Sequence, residues 1–146
     1  MRKLLIVITI ILLSVAGVSA QNGLNVAPYL SGKFTDNPGV TYVNLSGKQL
    51  SAAGLSVYKS ISETADDELA ADILNAVNKD GASAQTKEVS YKNGQLYFGF
   101  YAMGGSENRK RYLFYLNRRA IGKRKSTLIY IEGNLSESEV KALIEN

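Results

Sequence analysis

Cysteine, histidine and tryptophan are absent from the 146 residues, and proline occurs only twice. Without His or Cys the chain cannot assemble a Ser-His-Asp triad, a thiol nucleophile or an ordinary zinc site. Nor can it form a disulfide, so the fold has to hold together by packing alone. No internal repeat or low-complexity tract is present. At 45% hydrophobic and 21% charged residues, the composition is that of a globular chain.

The one long apolar run lies at the start. Arg2 and Lys3 precede Leu4 to Leu13, and Val18-Ser19-Ala20 offers the small residues a signal peptidase reads. The pattern predicts an export signal over residues 1–20, cleaved after Ala20, because the run is shorter than the ~20 residues of a spanning helix. No cysteine stands near the site to take a lipid. The expected product is a periplasmic or secreted protein, residues 21–146, forming one domain with no transmembrane segment.

Charge is unevenly placed. Setting Arg2 and Lys3 aside leaves 15 basic against 13 acidic side chains, a net of +2. Eight of the positive charges fall in residues 109–125 with no acid among them: Arg109, Lys110, Arg111, Arg118, Arg119, Lys123, Arg124 and Lys125. The rest of the mature chain therefore carries −6, and this asymmetry is the main electrostatic information.

The strongest strand signal is the aromatic run Gln95 to Met103, entered through Asn93-Gly94. That pair suits a two-residue type I′ turn, where both central residues take positive φ. The turn predicts a register with Tyr91 facing Leu96, Ser90 facing Tyr97, Val89 facing Phe98 and Thr86 facing Tyr101. One side then carries Tyr91, Val89, Leu96, Phe98 and Phe100; the other carries Thr86, Glu88, Ser90, Tyr97 and Tyr101. Further strands are expected at 85–92, 110–118 and 126–132, after a short one at 40–45 launched by the Asp36-Asn37-Pro38-Gly39 turn. Extending the faces gives a phenylalanine and aliphatic side for the helices and a wetter side with Tyr97, Tyr101, Tyr115 and Tyr130.

Helices are expected in four places. Val26 and Leu30 suit a short one with Pro28 in its first turn. Ser46 is placed as the N-cap of a second, with Leu50, Ala53, Gly54 and Val57 along one side. The third covers about 65–79, opening on Asp66, Asp67 and Glu68 and burying Leu69, Ile73 and Val77. Ser136 and Glu139 make a capping box for the last. The fold class is α+β: a two-layer sandwich, a mostly antiparallel sheet of about five strands with helices on one face.

Patterns that carry chemistry are few. Asp66, Asp67, Glu68 and Asp72 read as dipole partners rather than a cation loop. Gly122-Lys123-Arg124-Lys125-Ser126-Thr127 lacks the spacing of a phosphate loop. No catalytic residue, metal ligand or cofactor is assigned. Two surfaces remain as candidates. The basic hairpin 109–125, with Arg109, Arg111, Arg118 and Arg119, could hold an anionic glycan, a lipid headgroup or an acidic envelope protein; export argues against nucleic acid. The tyrosine side, with Tyr97, Tyr101, Tyr115 and Tyr130, could contact a protein or a sugar ring if it is not covered by the N-terminal segment.

The stretch Gly39-Val40-Thr41-Tyr42-Val43-Asn44-Leu45-Ser46-Gly47-Lys48-Gln49-Leu50, after an export signal and before a helix and a meander, resembles small exported Bacteroidota proteins of unknown function. The resemblance implies a Gram-negative envelope location and carries no activity. Many such relatives have a lipobox cysteine, which this chain lacks. The expected function is a non-catalytic envelope binding or accessory protein. Alternatives are an electrostatic binder of anionic polymer or lipid headgroups through 109–125, and a small enzyme using carboxylate, Tyr or Lys.

Overall fold

The computed structural model describes residues 23–145, so the export signal and its cleavage site lie outside the described residues. Six strands form one antiparallel sheet: β1 (Val40–Leu45), β2 (Leu55–Glu63), β3 (Thr86–Lys92), β4 (Gln95–Ala102), β5 (Lys110–Asn117) and β6 (Ser126–Gly133). Their order is β1-β2-β6-β5-β4-β3, so the last four strands are the expected meander and β6 then pairs with β2. Among the described residues three helices accompany them: α1 (Lys48–Ala52), α2 (Asp67–Gly81) and α3 (Glu137–Glu145). The α+β class and the antiparallel sheet are as expected, with six strands rather than about five.

The added strand is β2, where a helix was expected to run on through Val57. Gly54 ends α1 with φ +82, a left-handed conformation that glycine takes without strain. A side chain there would also meet Leu135, whose Cδ2 lies 2.7 Å from an ideal Cβ. The helix thus stops after five residues, and its N-cap is Gly47 rather than Ser46. The segment Ala27–Leu30 is a single 3-10 turn with Pro28 at its start, and Val26 and Leu30 are fully buried.

Asn93 and Gly94 have φ of 53 and 78, as a type I′ turn requires. Tyr91 faces Leu96 as expected, but the register then slips by one: Ser90 faces Phe98, Glu88 faces Phe100 and Thr86 faces Ala102. Tyr97 is the extra residue of a β-bulge. The bulge turns Leu96 away from the phenylalanine side and into the cluster around Tyr101. Burying Leu96 gains about 1.5–3 kcal/mol, more than the ~1 kcal/mol of the ladder bond disturbed.

The tyrosine side is the main core, not the wetter side. Tyr101, Tyr115 and Tyr130 are packed with Leu69, Ile73 and Val77 of α2 and with Val26 and Leu30 of the N-terminal segment. Room for the Tyr101 ring comes from Gly81 and Gly99, where an added Cβ would stand 2.6 Å from it in each case. The phenylalanine side carries Phe100, Tyr112 and Ile131 beneath Leu50 of α1 and Val140 of α3, with Phe98, Phe114 and Ile129 half-buried at the edge. Helices therefore cover both faces of the sheet instead of one. Asp80 ties the N-terminal segment down, its carboxylate accepting from the Asn25 N–H (2.8 Å), the Asn25 amide (2.9 Å) and the Val26 N–H (2.9 Å).

Candidate functional site

The basic stretch does not form one surface. β5 runs through the middle of the sheet and separates Arg109 and Arg111 at one end from Arg118 and Arg119 at the other, by roughly 25 Å at the rise of an extended strand. Each end contains a buried carboxylate that takes up part of the charge.

At the first end Glu132 is 1% exposed. It accepts from the Tyr130 hydroxyl at 2.6 Å, and Arg109 Nε lies 3.1 Å from its other oxygen. Burial, then the bond to Glu132, hold the Tyr130 hydroxyl far above the ordinary tyrosine range. Arg111 donates to the Gly104 carbonyl (2.6 Å) and the Met103 carbonyl (3.1 Å), fixing the loop before β5. A cleft of about 430 Å³ opens beside this loop, lined by Gln85, Ser106, Lys110, Arg111, Ser136 and Glu137 among others. Its carboxylate Glu137 accepts from the Thr86 hydroxyl at 2.9 Å.

At the second end Glu63 is fully buried. Arg119 forms a two-pronged pair with it, one guanidinium nitrogen to each oxygen, and also donates to Ser126 Oγ (3.0 Å) and Asp67 (3.1 Å). The bond to Glu63 raises the Arg119 pKa above its ordinary value, and the bond from Arg119 lowers that of Asp67. Arg124 reaches Asp67 as well, at 3.1 Å. Asp66, beside it, caps α2 by accepting from the Leu69 N–H at 2.9 Å, so two members of the acidic cluster serve the helix start and its ion pairs. Among the described residues no group of three carboxylates is arranged to hold a metal ion.

Four cations of the stretch remain, of which Lys110 is half-buried at the first end in the lining of the cleft. Arg118, Lys123 and Lys125 are exposed and have no acidic partner among the described residues. They belong to one tight turn. Arg118–Ile121 is a 3-10 turn capped by Asn117, whose Oδ1 accepts from the Arg119 N–H at 3.0 Å, and closed by Gly122 at φ +83. The Arg118 N–H donates to the Lys125 carbonyl (2.9 Å) and the Lys123 N–H to the Arg118 carbonyl (3.0 Å), so the three backbones are adjacent. The Asn93 side chain donates to the Ala120 carbonyl at 2.6 Å and pins the β3–β4 turn against it. Lys92, the last residue of β3 before that turn, sits 5.0 Å over the Tyr97 ring.

Of the residues singled out in the sequence, Tyr101, Tyr115 and Tyr130 are thus core residues at 3%, 1% and 0% exposure and offer no contact surface. Tyr97 is half-buried on the bulge. Arg109, Arg111 and Arg119 are engaged internally, and Arg118 is presented to solvent. Glu63 and Glu132 were not singled out. Their signal lay in the alternation: each stands near the end of a strand on the side that carries Ile61 or Tyr130, where an acid has to find a cation.

No described helix is long and apolar enough to cross a membrane. No curated protein and no solved structure matches the chain. A model for a family of unknown function, DUF6108, matches residues 13–144, and the chain belongs to that family.

Proposed function

We propose that this chain is an exported, non-catalytic binding protein of the cell envelope that takes an anionic partner on the turn 118–125. The observation that supports the reading is the division of the basic stretch. Carboxylates and carbonyls of the chain itself engage Arg109, Arg111, Arg119 and Arg124, and Lys110 lies at the other end of β5, while Arg118, Lys123 and Lys125 stay together in one hydrogen-bonded turn with no acidic partner among the described residues. Glu63 and Asp67, the acids at this end of β5 that the stretch reaches, are already paired with Arg119 and Arg124. Like charges held close by the backbone repel one another and destabilise the free protein slightly, a cost relieved when an anion binds. The export pattern of residues 1–20 and the Bacteroidota resemblance of residues 39–50 support the envelope as the compartment.

Retention on a heparin matrix tests the reading. The wild-type protein should elute at a salt concentration well above that of the Arg118→Ala, Lys123→Ala, Lys125→Ala variant, whose elution should fall close to the void. Equal elution of the two would remove the turn as the site. An Arg109→Ala variant, altered at the other end of β5, should elute with the wild type.

A further inference from the structure

The same end of the domain exposes apolar side chains that a soluble polyanion would not use. Among the described residues five large hydrophobic side chains are exposed, and two of them flank the cationic turn: Ile121 at 39% and Tyr91 at 63%. Ile121 is the last residue of the 3-10 turn that begins at Arg118, between that cation and Lys123. Tyr91 and Lys92 lead into the β3–β4 turn, which the 2.6 Å bond from Asn93 to the Ala120 carbonyl holds against the 3-10 turn. Two hydrogen-bonded turns and the end of β3 therefore bring a tyrosine, an isoleucine and four cations to one tip.

We propose that this tip docks onto the surface of an anionic lipid layer. Tyr91 and Ile121 enter the headgroup region, and Lys92, Arg118, Lys123 and Lys125 sit against the lipid phosphates. The proposal rests on the reading that the cations of 118–125 bind anions, and it names the source of those anions. Charge complementarity selects the lipid surface. No unpaired acid accompanies the four cations, so the tip is attracted to anionic headgroups, while a neutral or basic apolar partner gains nothing from them. The apolar pair selects a layer over a free polymer, because only a layer offers hydrocarbon behind its charges. Tyrosine suits that boundary, with an apolar ring and a hydroxyl that stays wet. The tip is too small to insert deeply, so binding is reversible and needs the apolar and the cationic parts together.

Co-sedimentation with vesicles separates this from the broader reading. Wild-type protein should bind mixed phosphatidylglycerol–phosphatidylcholine vesicles and not pure phosphatidylcholine. Each cation near an anionic surface is worth about fivefold in partitioning, so Arg118→Ala, Lys123→Ala, Lys125→Ala should weaken binding roughly a hundredfold. Tyr91→Ser, Ile121→Ser should lose vesicle binding while keeping wild-type retention on heparin. Because the chain has no tryptophan, Ile121→Trp gives a single indole at the tip. Its emission should shift to the blue on adding the anionic vesicles and stay unchanged with heparin. Vesicle binding by Tyr91→Ser, Ile121→Ser equal to that of the wild type, or an unshifted indole, would overturn the lipid proposal and leave the anion reading in place. Failure of the wild type to bind both heparin and vesicles would overturn both.

Discussion

Replacing Arg119 with alanine would leave the fully buried Glu63 carboxylate without its cation. Glu63 would retain the Asp66 N–H at 3.0 Å, while the two guanidinium bonds and the link from Arg119 to Ser126 would be gone. Breaking a buried pair from one side costs about 3–5 kcal/mol. The Arg119 side chain is 19% exposed, so water can reach part of the gap and the lower end, near 3 kcal/mol, is expected. Against a total stability of ~5–15 kcal/mol, that is a large fraction. Glu63→Gln should cost less, about 1–2 kcal/mol, because Arg119 keeps Asp67 and its partial access to solvent. Urea unfolding followed by far-ultraviolet circular dichroism gives both values. A loss below ~1 kcal/mol for Arg119→Ala, or a larger loss for Glu63→Gln than for Arg119→Ala, would show that the pair is not the buried tie described.

Three further outcomes follow from the core. Burial pushes the Tyr101 and Tyr115 hydroxyls up to about 12 from an ordinary 10.0. Their stabilising contribution is complete below pH 10 and is lost as pH rises toward about 12, so the protein should unfold cooperatively in that window, with tyrosinate absorbance and loss of circular dichroism rising together. Separate transitions would contradict the burial of these rings. Gly81→Ala forces a methyl group against the Tyr101 ring and should destabilise by roughly 1–3 kcal/mol, while in a Tyr101→Leu background the same change should cost much less; additivity in that thermodynamic cycle would refute the contact. Asp80→Ala removes three hydrogen bonds to Asn25 and Val26, and should lose about 2–3 kcal/mol while making the segment before β1 sensitive to protease; unchanged cleavage there would refute the tether.

Local signals carried well from sequence to structure. Asn93-Gly94 forms the turn its chemistry demands, α2 opens on Asp66 and buries Leu69, Ile73 and Val77, and Ser136 with Glu139 forms the capping box. Non-local choices did not. Alternation separates two faces of a sheet but does not say which one receives the longest helix, and here α2 lies on the tyrosines. Their hydroxyls are tolerable inside where a polar group meets them, as Glu132, two residues along the same strand, meets Tyr130. The bulge at Tyr97 depends on Leu96 finding space under α2, which no residue near the turn reveals. Gly54 was legible as a point of close approach, and its neighbour is Leu135, but its left-handed backbone decided that α1 ended there and β2 began. The candidate site was legible as charge and not as geometry. Eight cations in a row of seventeen residues were visible, whereas the acids that engage Arg119 and Arg124 lie more than fifty residues away.

A nuclear magnetic resonance titration of the labelled protein with a short heparin fragment tests the central claim most directly. Amide shifts confined to residues 91–94 and 118–125, and lost with salt, are the result expected. Shifts centred on the loop 103–109 and the start of α3, with 118–125 unmoved, would contradict it and place the site at the other end of β5.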